Sequence, residues 1–320
     1  MLQVITSMYN ILMKIYVLAD KKTYDAIKVK INQTYIGEIF HFEEKDISKI
    51  PQLFTDSEEK ILAIEPTVIN WSLPTDAISR ISNLLGICTS SAWARYIDFD
   101  YCRNNSISIT KTIGANSQSV AEYGIWMMYC LARRLPMQLQ KNDESNYHTE
   151  LFGKTVGIIG LGNIGSRIAE IANGIGMRVQ YWNRSQKESP YPSVNLEHLI
   201  QSSDVIINSV EICADTQGLL GKSLLSKMKP SAFFISVLGG MGWGVQDDQV
   251  LIDMVQSNAI AGFAVENEHK GSWNESYPGN IFIPIARAHH TKEAEERVMD
   301  QWIEGIISVI TNTKSPFKVI

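Results

Sequence analysis

Residues 152–185 read FGKTVGIIGLGNIGSRIAEIANGIGMRVQYWNRS, and their glycines are spaced for chemistry on a phosphate. An apolar, β-branched stretch runs into Gly160-Leu161-Gly162-Asn163-Ile164-Gly165, an amphipathic stretch follows, and a second strand-like run, RVQYW, comes after it. Gly160 permits a tight turn, Gly162 lets backbone approach a pyrophosphate, and Gly165 allows close packing of helix on strand. The helix that opens at Asn163 and Ile164 would offer free N–H groups and the positive end of its dipole to the phosphates.

The end of the second strand selects the dinucleotide. A carboxylate there accepts from a ribose 2′-hydroxyl and repels a 2′-phosphate. This chain has Asn183-Arg184-Ser185 instead. A guanidinium beside a hydroxyl suits a phosphate through charge-assisted bonds, so NADP(H) is expected over NAD(H).

These residues need elements to position them. Strand-like runs at Lys14–Leu18, Ile61–Ile64, Leu85–Cys88 and Ile107–Ile109 alternate with amphipathic stretches such as 73–83. Residues 117–135 read as a long apolar helix opened by a Ser cap and closed by Pro136, with a polar stretch over 137–150. From Phe152 the alternation resumes, with strands expected at Thr155–Gly160, Arg178–Trp182, Asp204–Asn208, Phe233–Val237 and Ile281–Ile283. Residues 291–310 read as a closing helix with acidic first turns. Such alternation predicts parallel α/β sheets.

With 320 residues, 45% of them hydrophobic, the chain exceeds what one core usually serves, so two domains are expected. Its net charge of −5, with no basic block, argues against nucleic acid as a partner. Apolar runs such as 155–161 are too short to cross a bilayer, so no membrane is expected. The opening MLQVITSMYNILMKIYV lacks a charged n-region and a cleavage site; Met13 starts the first strand, and 1–12 read as an extension or a misplaced start. Cys88, Cys102, Cys130 and Cys213 form no C-x-x-C pair and read as core thiols of a reducing cytoplasm. The six histidines show no H-E-x-x-H spacing, and no metal site is expected.

Three runs carry a resemblance: IGANSQSVAEYGIWMMYCLARRLP (113–136), LFGKTVGIIGLGNIG (151–165) and SDVIINSVEICADTQGLLGKSLLSKMKPSAFFISV (203–237). In order and spacing they resemble the D-isomer-specific 2-hydroxyacid dehydrogenases. The resemblance implies two Rossmann-like, doubly wound parallel-sheet α/β domains: a cofactor domain at 113–290, inserted into a catalytic domain split between 13–112 and 291–320. It also implies a small-molecule substrate in an interdomain cleft and a homodimer formed through the cofactor domain. Val210, Thr216, Val237 and Leu238, at later strand ends, would add to the cofactor contacts.

Such enzymes reduce a 2-keto acid with an arginine on the substrate carboxylate, a histidine as proton donor and a glutamate beside that histidine. Here the arginine's strand end reads Ser236-Val237-Leu238-Gly239-Gly240, and no Arg or Lys lies between Lys229 and Lys270. The proline expected before the histidine is Pro284, but Ile285 follows it, and His289 and His290 come several residues later. Glu266 and Glu268 occupy the glutamate region, and a first-domain loop usually rich in glycine reads Ser91-Ala92-Trp93-Ala94-Arg95.

A bidentate guanidinium is hard to replace where a carboxylate must be held, so a simple keto acid is disfavoured. The expected activity is an NADP(H)-dependent reduction of a larger carbonyl, an imine or an activated alkene. His289 or His290 would supply the proton with help from Glu266 or Glu268, only one of the adjacent histidines facing the cleft. Ser91, Ala92, Trp93, Arg95, Gly239, Gly240, Trp243 and Arg287 are candidates to line the cleft. The glycines of ISVLGGMGWG (235–244) would open it by removing side-chain bulk. Two alternatives stand beside this one: an NADPH-binding sensor or scaffold that no longer catalyses, and an ordinary hydroxyacid dehydrogenase with relocated catalytic residues.

Overall fold

In β1 (Lys14–Leu18), Ile15 and Val17 join one apolar cluster and Tyr16 and Leu18 another, all fully buried. A strand buried on both faces is what a parallel sheet covered by helices requires. The computed structural model describes residues 13–141, 143, 147–239, 241, 244–267 and 277–320. The chain divides into two compact units, one up to Ala115 together with Lys292–Ile320, the other Asn116–Thr291. The sequence placed these divisions at 112/113 and 290/291; contacts place them at 115/116 and 291/292.

The first unit also holds β2 (Glu38–Phe42), β3 (Lys60–Ile64), β4 (Leu84–Thr89) and β5 (Ser108–Lys111), all parallel in the order β2-β1-β3-β4-β5. Helices α1 (Lys21–Ile31), α2 (Pro51–Thr55), α3 (Thr75–Ile78) and α4 (Phe99–Asn104) make the crossovers. The amphipathic stretch 73–83 yields only the single turn of α3, which ends at Ile78, and Asn83 turns left-handed (φ 54°) just before β4. Strand β2 was not anticipated. It is an edge strand, EIFHF, with no fully buried residue and therefore no clean alternation.

The second unit opens with α5 (Ser117–Ala132), whose cap is Asn116 without a side-chain bond; Ser117 lies inside the helix and caps nothing. The helix ends at Ala132, before the expected 135, because Arg134 takes a left-handed φ of 52°. Pro136 then stands in the first turn of α6 (Leu135–Leu139), where a missing N–H costs nothing. Next come β6 (Thr155–Ile159), α7 (Asn163–Gly174), β7 (Arg178–Trp182), α8 (Leu196–Ser202), β8 (Val205–Asn208), α9 (Lys222–Leu225) and β9 (Phe233–Ser236). They are followed by α10 (Asp248–Gln256), β10 (Gly262–Val265) and β11 (Ile281–Phe282). The sheet order is β11-β10-β9-β8-β6-β7, all parallel. Val156, Ile158, Ile207 and Ile235 pack on one face beneath α5 and α7, while Ile206, Phe234 and Phe263 pack on the other.

Helix α11 (Lys292–Ile310), with Glu293 and Glu295 in its first turn, completes the first unit. Trp302 is 2% exposed and its indole N–H donates to the Cys88 carbonyl at 2.8 Å. Gly86 and Gly305 are the contact points, since a Cβ on either would crowd Val309 or Thr110. Among the described residues no helix is long and apolar enough to cross a membrane, and no group of three metal-ligating side chains occurs.

Candidate active site

The turn after β6 is built as its glycines require. Gly160 has φ 94°, and a Cβ there would lie 2.8 Å from the Val210 amide nitrogen. A Cβ on Gly165 would collide with the Gly160 carbonyl, so the first turn of α7 rests directly on the end of the strand. A Cβ on Gly162 would meet nothing within 4 Å, leaving open space above the turn where backbone is the only wall. Asn163 is exposed and Ile164 half-buried at the same helix start. The sheet order reverses between β6 and β8, the position where open α/β sheets bind dinucleotides.

Asn183, after β7, accepts from the Leu161 amide at 3.2 Å and donates to the Ser185 carbonyl at 2.8 Å, joining the two strand ends. Arg184 is exposed, and its Nη1 pairs with the Asp215 carboxylate. Asp215 escaped sequence reasoning because it lies 31 residues away with no local pattern to announce it. Thr216 receives the Cys213 amide at 3.0 Å and donates to the Glu211 carbonyl at 2.7 Å, closing the loop after β8.

At the end of β9, Val237 is buried and its amide bonds the Asn208 carbonyl at 3.0 Å; its side chain packs toward Gly124. Leu238 is half-buried, and Gly239 has φ 86° with open space where a Cβ would stand. Gly240 and Trp243 lie outside the described residues. The run resumes at Gly244, also left-handed, whose carbonyl receives the Gly218 amide at 2.7 Å. Beneath it the Asn208 amide group donates to Gln246 at 2.7 Å, and Gln246 donates to Ser236 at 3.1 Å and Asp248 at 3.0 Å. This network ties the strand ends of β8 and β9 to the far end of the glycine run. Sequence reasoning missed it, since the network joins residues far apart in the chain.

The segment 284–290 is tied down from three sides. Asn267 pairs with it through backbone bonds of 2.9 and 3.0 Å to Pro284 and Ala286. From α5, the Tyr123 hydroxyl donates to the Ile285 carbonyl at 3.1 Å and the Ser119 hydroxyl donates to the Ala288 carbonyl. Burial, with Glu266 nearby, pushes the Tyr123 phenol up to about 12, so it remains a donor. Glu266, 2% exposed, accepts from the amides of Arg287 at 3.0 Å and Ala288 at 2.8 Å. Arg287, His289 and His290 are all exposed. The two imidazoles lie near each other, centroids 4.0 Å apart, where neighbouring residues were expected to point different ways. The tight turn at 288–289 brings them to one side. Glu268 lies outside the described residues.

In the first unit, the Ser91 hydroxyl accepts from the Trp93 amide at 3.0 Å. Ala92, Trp93 and Arg95 are exposed on the loop after β4. Trp93 meets Trp71 and Tyr96, and the Tyr96 hydroxyl donates to Thr89 at 2.5 Å. The structure thus puts the cofactor candidates on the turns and loops that follow β6, β7, β8 and β9, the histidines on the 284–290 segment, and the Ser91–Arg95 group on the other unit.

Residues 125–270 match the family described as D-isomer specific 2-hydroxyacid dehydrogenase, NAD binding domain. The chain is 24% identical over 306 residues to D-3-phosphoglycerate dehydrogenase of Bacillus subtilis, an alignment covering 91% of this chain and 56% of that protein. The chain therefore spans little more than half of that relative's length. It is 26% identical over 265 residues to glyoxylate reductase of Aeropyrum pernix, covering 76% of this chain and 78% of the relative. Among solved structures, an acyclic imino acid reductase in complex with NADPH and D-Arg superposes with a TM-score of 0.77 at 26% identity, covering 96% of this chain and all of that one. Two parallel-sheet units, a glycine turn at the switch point and these likenesses agree: residues 125–270 carry the NAD binding domain of the D-isomer-specific 2-hydroxyacid dehydrogenases, and the rest of the chain is similar to proteins of that family.

Proposed function

We propose that the chain is an NADP(H)-dependent reductase of a C=N bond, in preference to a simple 2-keto acid. The observation that carries this reading is the end of β9, Val237-Leu238-Gly239, in a chain with no Arg or Lys from 230 to 269. A keto-acid reductase needs a cation there to hold the carboxylate and polarise the carbonyl. An imine is activated by protonation of its own nitrogen and has less need of that cation. The imino acid reductase likeness supports the same class.

The backbone at Gly162 would hold the pyrophosphate, with Gly160 shaping the turn and Gly165 seating the helix, Arg184 would take the 2′-phosphate, and the bound dinucleotide would supply a hydride. The chain itself supplies the proton, from His289 or His290. Glu266 acts as a positioning residue through the amides of Arg287 and Ala288, which hold the backbone just before both histidines. We further propose a cytoplasmic homodimer joined through the second unit, where the exposed Trp126 and Tyr129 stand on α5. A single elution mass equal to one chain would exclude the dimer.

The reaction is tested by following NADPH consumption with imines formed in solution from amines and carbonyls, against glyoxylate and hydroxypyruvate. Turnover confined to the imines is expected. Comparable turnover of glyoxylate would return the chain to ordinary hydroxyacid chemistry, and none with any substrate would favour an NADPH sensor. Replacing both histidines should lower kcat by about 100-fold, the range of one general acid.

A further inference from the structure

In the second unit, the last residues of β6, β8, β9 and β10 stand in one row. Ile159 pairs with Asn208, Asn208 with Ser236, and Ser236 with Val265. Ile159 and Val265 join the apolar cluster that also holds Ile206 and Phe234. Asn208 and Ser236 break the pattern: they are polar and fully buried, on the face that Ile206 and Phe234 fill two residues earlier. Burying an amide and a hydroxyl is unfavourable unless each is bonded, and an apolar pair would close this end of the core without that demand.

The buried side chain of Gln246 answers both. Its Oε1 accepts from Asn208 Nδ2 at 2.7 Å, and its Nε2 donates to Ser236 Oγ at 3.1 Å and to Asp248 Oδ1 at 3.0 Å. Only one orientation of the amide satisfies these partners. Turned over, its NH₂ would face that of Asn208 and its oxygen would face the Asp248 carboxylate. The backbone around it is fixed as well, the Leu220 amide bonding the Val245 carbonyl at 2.9 Å and the Asp247 amide the Leu220 carbonyl at 3.1 Å. On the far side of Asn208, its Oδ1 accepts from the Val210 amide at 3.4 Å, and the Ser209 hydroxyl donates to the Gly160 carbonyl at 2.8 Å. One bonded chain therefore runs from the glycine turn after β6 to the start of α10.

We propose that Gln246 is a positioning residue for the nicotinamide half of the dinucleotide. The inference rests on the dinucleotide reading given above. A dinucleotide lies across the strand ends with one half on each side of the switch point. Arg184, after β7, marks the adenosine side, so the ends of β8 and β9 carry the nicotinamide side. Gln246 acts through Asn208 and Ser236 and not by touching the ring. It holds both strand ends, so that Val237, whose amide bonds the Asn208 carbonyl at 3.0 Å, and Leu238 after it meet the ring from a backbone already in place. Those ends are ordered on folding, and binding does not have to order them.

Calorimetric titration of the full chain with NADPH and with 2′-phospho-ADP-ribose, which lacks the nicotinamide, tests it. The parent should bind NADPH the more tightly. Gln246→Met keeps the length and the apolar packing and removes all three side-chain bonds. It should weaken NADPH by about ten-fold, the scale of one or two buried hydrogen bonds, and leave 2′-phospho-ADP-ribose unchanged. Ser236→Ala, a milder change that removes one acceptor, should weaken NADPH a few-fold in the same sense. A merely structural role would lower both affinities together, or the melting temperature alone, and either result overturns the proposal. A parent that binds both compounds equally also overturns it and leaves the dinucleotide reading standing; a parent that binds neither defeats both. If the parent prefers NADH, the choice of NADP(H) fails, and the same comparison is read with NADH and ADP-ribose. No imine enters the experiment, so its outcome is independent of the proposed reaction.

Discussion

The Glu266 carboxylate stands 2.8 Å from the amide of Ala288, the residue immediately before His289. A buried carboxylate bonded to two backbone amides is a fastening, and its loss leaves both amides without an acceptor. Glu266→Ala should therefore cost about 3 kcal/mol in denaturant unfolding. It should lower kcat while the KM for NADPH stays put. Glu266→Gln, which keeps an acceptor oxygen, should recover most of the stability.

Gly162 and Gly165 lie in one turn yet should fail differently. A Cβ on Gly165 has no room against the Gly160 carbonyl, so Gly165→Ala should lower stability by about 1–3 kcal/mol, the usual cost of overpacking. A Cβ on Gly162 meets nothing, so Gly162→Ala should melt as the parent does. Its effect should appear only on binding, as a dinucleotide affinity reduced by about ten-fold or more where a pyrophosphate needs the bare backbone. Calorimetry on both variants separates the two outcomes.

Arg184 and Asp215 form an exposed pair, which a phosphate can displace at little cost. Arg184→Ala should weaken NADPH by about ten-fold or more, the worth of a charge-assisted contact, and leave NADH nearly unchanged. Asp215→Asn should move NADPH the other way by a few-fold, because a competing carboxylate is gone. Titrations with each cofactor at low and high salt give both numbers.

Burial would raise the Asp56 carboxyl, but bonds from Lys14 and the Tyr16 hydroxyl, each at 2.8 Å, outweigh it and hold the group at about 2. Unfolded aspartate titrates at about 3.9, so between these values the native state binds fewer protons than the unfolded one. The contribution is therefore complete above about pH 4 and is lost as the pH falls through the native value. Melting temperature against pH should fall through that window, and Asp56→Asn should be less stable at neutral pH with a flatter acid limb.

What could be read in advance was local. The strand, glycine turn and helix around Gly160 are consecutive in sequence, and each glycine's task depends on its immediate neighbours. Strand β10, GFAV, was missed because three apolar residues after a glycine carry no period, and only its place between β9 and β11 makes it a strand. Asp215 beside Arg184 and Gln246 beneath the glycine run are joined to their settings by contacts between distant residues. Neither leaves a trace in spacing.

The last helix has a consequence for how the chain is made. Trp302, Ile306 and Val309 fill one side of the first sheet, yet they leave the ribosome after the whole second unit has been synthesised. At about 5–20 residues per second, some ten to thirty-five seconds separate Ala115 from Lys292. Through that interval the cluster of Ile15, Val17, Ile61 and Cys88 lacks this part of its cover, with Tyr24, Ile27 and Ile31 of α1 already made, while the second unit can close on its own. The first unit is thus begun first and completed last, and its half-covered sheet is open to association for that interval.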